Sequence, residues 1–240
     1  MNRNHENQDK IWDYFQNEGV ESFSQSLGRQ EFLVRSILPG MRVLNIGVGN
    51  GSLEILASAK GVDIWSLDPS ERAIERLRKT LGIGEKAQIG YSQKIPFPDV
   101  YFDCVVMSEV LEHLDDEVLE ASLDEVCRVL KSSGLFIGTV PARERLNDQQ
   151  VICPQCGCQF HRWGHKRYFD IDTLTHCLST RFVVKRSVEK FFIDWATVGV
   201  WRKIQGLVKV FLSWRGIGTY GVCRTIFFES YKSSKPTNQP

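Results

Sequence analysis

A chain of 240 residues has room for one sizeable α/β domain, and 42% apolar with 25% charged residues is an ordinary globular balance. A formal net charge of +1 argues against nucleic acid as the main partner. The polar stretch Met1–Lys10 lacks the apolar core of a signal peptide, and no run reaches the roughly 18 apolar residues that span a bilayer, so a cytoplasmic location is expected.

In chain order, residues 1–38 are predicted to carry two helices, about Lys10–Phe15 and Leu27–Leu38, which form a cap or acceptor side; Pro39-Gly40 closes the second. Strand and helix patterns then alternate through the main domain, residues 39–232. Arg42–Ile46 reads as a buried strand, Ser52–Ala59 as a helix with serine at its cap, and Val62–Leu67 as a second strand. Ala73, Ile74, Leu77 and Leu81 give Ser70–Leu81 a clear amphipathic helical spacing. Lys86–Gly90 and Cys104–Met107 read as the third and fourth strands, Asp116–Leu130 as a helix, and Leu135–Val140 as a fifth strand stopped by Pro141. After a polar Cys/His-rich insertion, 143–167, come a short helix Ile171–Leu178 and strands at Phe182–Phe192 and Thr225–Tyr231. This alternation predicts an α/β fold of Rossmann-like, doubly wound type: a mostly parallel seven-stranded sheet with helices on both faces and a small insertion after strand five. The tail 233–240 is expected to be disordered.

Between the last two strands lies the apolar stretch Val198–Trp214. On a helical projection Arg202, Gln205, Lys209 and Ser213 share one face, with Trp201, Ile204, Val208, Phe211 and Leu212 largely opposite. Such a helix packs over the sheet or the acceptor pocket, or rests on a membrane and admits a lipid-like acceptor.

The segment Val43-Leu44-Asn45-Ile46-Gly47-Val48-Gly49-Asn50-Gly51-Ser52 runs an apolar strand into three alternating glycines and then a helix. Glycines there let the chain turn tightly and let a ligand approach its backbone. Asp68 follows Gly47 by 21 residues, at the end of the second strand, where a carboxylate can accept both hydroxyls of an adenosine ribose. A dinucleotide fingerprint wants its third glycine five positions after the first, and that position is Ser52. An NAD-dependent oxidoreductase is therefore the weaker reading.

Asn45–Gly51 resembles motif I of class I S-adenosylmethionine (SAM)-dependent methyltransferases, an acidic residue followed by x-G-x-G-x-G. Leu67-Asp68-Pro69-Ser70 resembles that family's ribose-binding turn. Gly90–Pro98 followed by Phe102-Asp103 resembles its adenine-side loop, and Ser108-Glu109-Val110-Leu111-Glu112-His113-Leu114 the turn after strand four in its small-molecule members. The match covers Ser26 to Val140 and continues weakly to Tyr231. It implies SAM as cofactor, held by Asn45, Gly47, Gly49, Gly51, Asp68, Ser92, Gln93 and Glu109, and methyl transfer to a small-molecule acceptor at oxygen or nitrogen.

Two positions depart from the pattern. Asn45 stands where the family usually has Asp or Glu; an amide accepts a hydrogen bond but cannot pair ionically with the methionyl ammonium. Tyr91 stands where many members carry an Asp for the adenine amine, so Ser92, Gln93 or backbone groups take that role. These departures keep a second reading open, a noncatalytic binding protein of the same fold that holds a partner through its Cys/His insertion.

His113 is the candidate general base, since it sits just past strand four and imidazole titrates near working pH; the alternative is that it braces the loop. Glu109 is expected at the cofactor rim, and Glu112 reads as solvent-facing.

Seven cysteines are an odd number, and Cys153, Cys156 and Cys158 crowd into six positions, which suits a local metal site better than a disulfide framework. Cys153-x2-Cys156 followed by Gly157 has the shape of a zinc knuckle. With His161 and His165 it predicts a structural Cys2His2 zinc site, and Cys158 competes for either histidine's place. His165 also precedes Tyr168-Phe169 in an order that resembles metal-free family members, where this stretch lies beside the acceptor pocket.

Overall fold

Apolar residues that alternate along the strands build one sheet with two buried faces. The computed structural model describes residues 3–18, 26–192 and 224–233; the stretch Val198–Trp214 and residues 234–240 of the tail lie outside the described residues. The strands are β1 (Arg42–Ile46), β2 (Asp63–Asp68), β3 (Ala87–Ile89), β4 (Phe102–Ser108), β5 (Leu130–Pro141), β8 (Phe182–Lys190) and β9 (Thr225–Lys232), with β6 (Gln150–Ile152) and β7 (Gln159–His161) forming a separate hairpin. The main sheet has the order β3-β2-β1-β4-β5-β9-β8, parallel through β5, with β9 antiparallel to both its neighbours.

Helices α1 (Arg3–Asn17), α2 (Leu27–Arg35), α3 (Ser52–Ala59), α4 (Glu71–Leu81), α5 (Asp116–Val129) and α6 (Ile171–Ser179) complete the fold. Because side chains alternate across a strand, Val43, Cys104, Val106, Leu135 and Ile137 pack on one face with Leu33, Val34, Leu53 and Ala57 of α2 and α3. Leu44, Val105, Met107 and Phe136 pack on the other with Leu119, Leu123 and Val126 of α5 and Leu174 and Leu178 of α6. Local caps place the helix starts: Ser70 Oγ accepts from Ala73 N–H, Asp115 from Val118 N–H, and Asp170 with Thr173 forms a capping box.

Strand β5 begins five residues earlier than its apolar run, because Leu130 pairs with Phe102 across a bulge before the regular register resumes at Cys104–Leu135. At the centre of β5 a Cβ on Gly138 would lie 1.9 Å from the Met107 carbonyl oxygen and 2.7 Å from the Phe228 ring. Gly138→Ala is therefore expected to destabilise the fold by about 1–3 kcal/mol or more, read as a lowered denaturation midpoint; an unchanged midpoint would mean that β4, β5 and β9 are not packed this closely.

Candidate functional site

The strand order reverses between β1 and β4, and in such sheets ligands bind beyond the carboxyl ends of the strands at that point. The sheet therefore gathers the loops after β1, β2 and β4. After β1, Gly47, Gly49 and Gly51 all have positive φ (+89°, +56° and +83°), a region that other residues enter only with strain. A Cβ on Gly47 would lie 2.7 Å from Val110 Cγ2, so glycine also lets the loops after β1 and β4 touch.

Asp68 closes β2 with its carboxylate buried at the rim of this loop. Its Oδ2 accepts from Val48 N–H (2.7 Å) and its Oδ1 from Ser70 N–H (2.8 Å), which aims the group across the glycine turn. Burial pushes its pKa up to about 6. Gln16 Nε2 of α1 also donates to Oδ2 (3.1 Å), while Arg76 bridges Asn17 Oδ1 and the Gly49 carbonyl. The N-terminal helix thus lies over Asp68 and the glycine turn.

Beneath the glycine turn, Asn45 points into the protein. Its Nδ2 donates to Glu54 Oε1 (2.7 Å) and to the Gly47 carbonyl (3.2 Å), and Ser66 Oγ donates to the same Glu54 oxygen. Glu54 is fully buried, and burial raises its pKa to about 7. A buried carboxylate thus lies directly behind position 45, contributed by α3 nine residues on. Ser92 Oγ lies 2.7 Å from Ser122 Oγ and is buried against α5, while Gln93 is half-buried beside it.

After β4 the chain turns at Glu109, a non-glycine residue with φ +58°, whose carboxylate is 3.8 Å from Arg29. A single helical turn, Leu111–His113, follows. It points Glu112 inward, so the solvent-facing expectation is corrected: the side chain is fully buried, and neither carboxylate oxygen has a hydrogen-bond partner among the described residues. Burial, and then the charge of Glu109, raises the Glu112 pKa well above the ordinary range. The His165 stretch lies on top, with Lys166 and Arg167 N–H donating to the Glu112 carbonyl. His113 and His165 meet edge to face with centroids 4.7 Å apart, His165 stacks on His161 at 4.7 Å, and Glu144 reaches both His161 and His165.

The sequence profile of the methyltransferase-domain family matches residues 23–181. The chain belongs to the class I SAM-dependent methyltransferase family. It is 32% identical over 125 residues to a sterol 24-C-methyltransferase of Gibberella zeae, covering 48% of this chain and 32% of that one. It is 32% identical over 141 residues to a sarcosine/dimethylglycine N-methyltransferase of Halorhodospira halochloris, covering 56% and 50%. The chain thus spans 32% to 50% of the length of these relatives. Among solved structures, a chain in the complex between the Haloferax volcanii Trm112 methyltransferase activator and a methyltransferase superposes with a TM-score of 0.65 at 17% identity, covering 92% of this chain and 97% of that one.

In this methyltransferase fold the buried Asp68 and the glycine cradle suit a nucleoside with ribose hydroxyls to donate, and SAM, when bound, supplies an electrophilic methyl group. Burial and the neighbouring His165 push the His113 pKa down to about 3, so the imidazole is neutral at working pH. A base that weak takes little of a proton in flight; a neutral ring suits hydrogen bonding or ligation better. No helix among the described residues is long and apolar enough to cross a membrane.

The four predicted zinc ligands are not brought together. Cys153 N–H donates to the Cys158 carbonyl at the tip of the β6–β7 hairpin, whereas His161 pairs with Gln150 at its base. Three residue steps, about 10 Å of strand, separate Cys158 from His161, and His161 is buried toward Glu144. Among the described residues, no group of three or more close ligand atoms includes a cysteine. Among the described residues the joint Cys153, Cys156, His161, His165 set is therefore not assembled in one cluster. Three-residue strands are too short to show alternation, so the hairpin that separates the ligands leaves no mark in the sequence pattern.

Several participants escaped sequence reasoning. Glu54, Glu144 and Gln16 lie outside the motifs, and only the fold carries them to the loops. Trp12 and Phe15 of α1 do likewise, meeting His113 and Trp163.

Proposed function

We propose that this chain transfers a methyl group from SAM to a small-molecule acceptor at oxygen or nitrogen. The observation that carries the reading is Asp68: a buried carboxylate, oriented by two backbone N–H groups, facing a turn of three positive-φ glycines. Around it, Gly47, Gly49 and Gly51 would cradle the methionine portion, and Asn45 would contribute through Glu54. Gln93 and backbone groups would meet the adenine, because the Ser92 hydroxyl is engaged by Ser122. Glu109 would line the rim, with Arg29 beside it. Residues 1–38 would cover the acceptor side, which suits the contact of α1 with His113, while its contact with Asp68 reaches the cofactor end. His113 would serve the acceptor side as a neutral hydrogen-bonding or ligating ring, not as a strong base. The stretch 198–214 would supply any contact with a lipid-like acceptor.

The sterol and sarcosine/dimethylglycine enzymes act on small molecules, as their names state, which supports that acceptor class. The experiment is calorimetric titration with SAM, followed by incubation of the protein with methyl-labelled SAM and a metabolite extract. Saturable SAM binding and label in a small molecule are expected. No binding at millimolar SAM would favour the noncatalytic reading, in which the insertion holds a partner.

A further inference from the structure

We propose that Glu112, His113 and His165 form a site for one divalent transition-metal ion, zinc before others, under the turn that follows β4. One ligand atom from each lies within 4.8 Å of the other two. An ion bound at about 2.0–2.2 Å holds its ligand atoms roughly 3.5 Å apart, so side-chain rotations of about 1 Å complete the set.

Three observations converge. First, Glu112 is fully buried and both its oxygens lack hydrogen-bond partners among the described residues. An ionised carboxylate left so is costly, and a cation offsets that cost directly. Second, both histidines are held through Nδ1, the usual pattern of metal-binding imidazoles, in which an oxygen acceptor on one nitrogen frees the lone pair of the other. His113 Nδ1 lies 3.3 Å from the Gly164 carbonyl, and His165 Nδ1 contacts Glu144 Oε2. His113 Nε2 is 3.9 Å from Glu112 Oε1. Trp12 Nε1 also approaches His113 Nδ1 at 3.3 Å, and it competes with Gly164, since that nitrogen either donates or accepts. A metal on Nε2 decides for Gly164. Third, Glu144 is itself braced. His161 Nδ1 accepts from Trp163 and His165 N–H, so its Nε2 carries a hydrogen and lies 3.5 Å from Glu144 Oε1. Glu144, His161 and His165 form a second close group, but with Nδ1 accepting two backbone N–H groups and Nε2 turned toward Glu144, His161 is placed to support the Glu112 site.

Two imidazoles and a carboxylate suit zinc and its neighbours better than magnesium or calcium, which prefer all-oxygen sets. Three protein ligands leave a fourth position for water or for an oxygen of the acceptor. The proposal does not rest on the methyltransferase reading, and SAM titration is run separately so that either can fail alone.

The test is titration of the chelator-stripped full chain with zinc and with cobalt(II). One ion per chain is expected, and cobalt should give visible ligand-field bands without a thiolate-to-cobalt charge-transfer band. The Cys153→Ser/Cys156→Ser double variant should keep the ion. His165→Ala and Glu112→Gln should each lower affinity at least about tenfold, with circular dichroism to verify their folding. The proposal is overturned if the stripped chain binds neither ion at micromolar concentration. It is equally overturned if the cobalt spectrum shows thiolate ligation that the double variant loses, or if a folded His165→Ala binds as tightly as the parent.

Discussion

Asp68→Ala is expected to weaken SAM binding by about 10- to 150-fold, and Gly49→Val to abolish it. The first figure converts the roughly 1.5–3 kcal/mol carried by hydrogen bonds to a charged group. Asp68 is oriented by Val48 and Ser70 N–H at the end of β2, so its loss should remove ribose contacts without removing a strand. Gly49 sits at φ +56°, and its carbonyl is held by Arg76, so the turn cannot relax around a β-branched side chain. Affinity should also depend on pH. The free carboxyl titrates at about 6 because it is buried, whereas accepting ribose hydroxyls favours the ionised form. Binding therefore strengthens as pH rises through that value and weakens below it. Calorimetry across this range reads both effects. An Asp68→Ala protein that binds SAM like the parent would show that the ribose lies elsewhere.

Glu54→Gln is expected to flatten the dependence of stability on pH. Burial raises the Glu54 pKa from 4.5 to about 7 in the folded protein. Between those values the native state holds a proton that the unfolded chain has released. The stabilisation is thus complete below the unfolded value and is lost as pH rises to about 7, a change of about 3 kcal/mol. Glutamine keeps an oxygen for Asn45 Nδ2 and Ser66 Oγ but never ionises. The variant should match the parent near pH 4 and exceed it above about pH 7. Asp68 contributes a slope of the same sign in both proteins, so the difference between their urea-denaturation curves isolates Glu54. Parallel curves would sink the assignment.

The nearest-neighbour chemistry of the chain determined most of the sheet. Helical spacing located α4 and α5, apolar runs located β1, β2 and β4, and the glycine spacing with Asp68 singled out the proposed nucleoside end, because periodicity and turn chemistry act over a few residues. Contacts between distant segments were decided only by the tertiary structure. Glu112 looked solvent-facing because a lone turn has no periodicity to show its buried side; the turn aims it inward, and Lys166 and Arg167 N–H dock on its carbonyl. The cysteines and histidines of the insertion are close in sequence, and closeness suggested one metal site. A three-pair hairpin holds the two groups at opposite ends, and it delivers His161 and His165 to Glu144 and His113 instead. The pairing of Asn45 with Glu54 is likewise made by packing of α3 against the sheet, a relation that no spacing along the strand could encode.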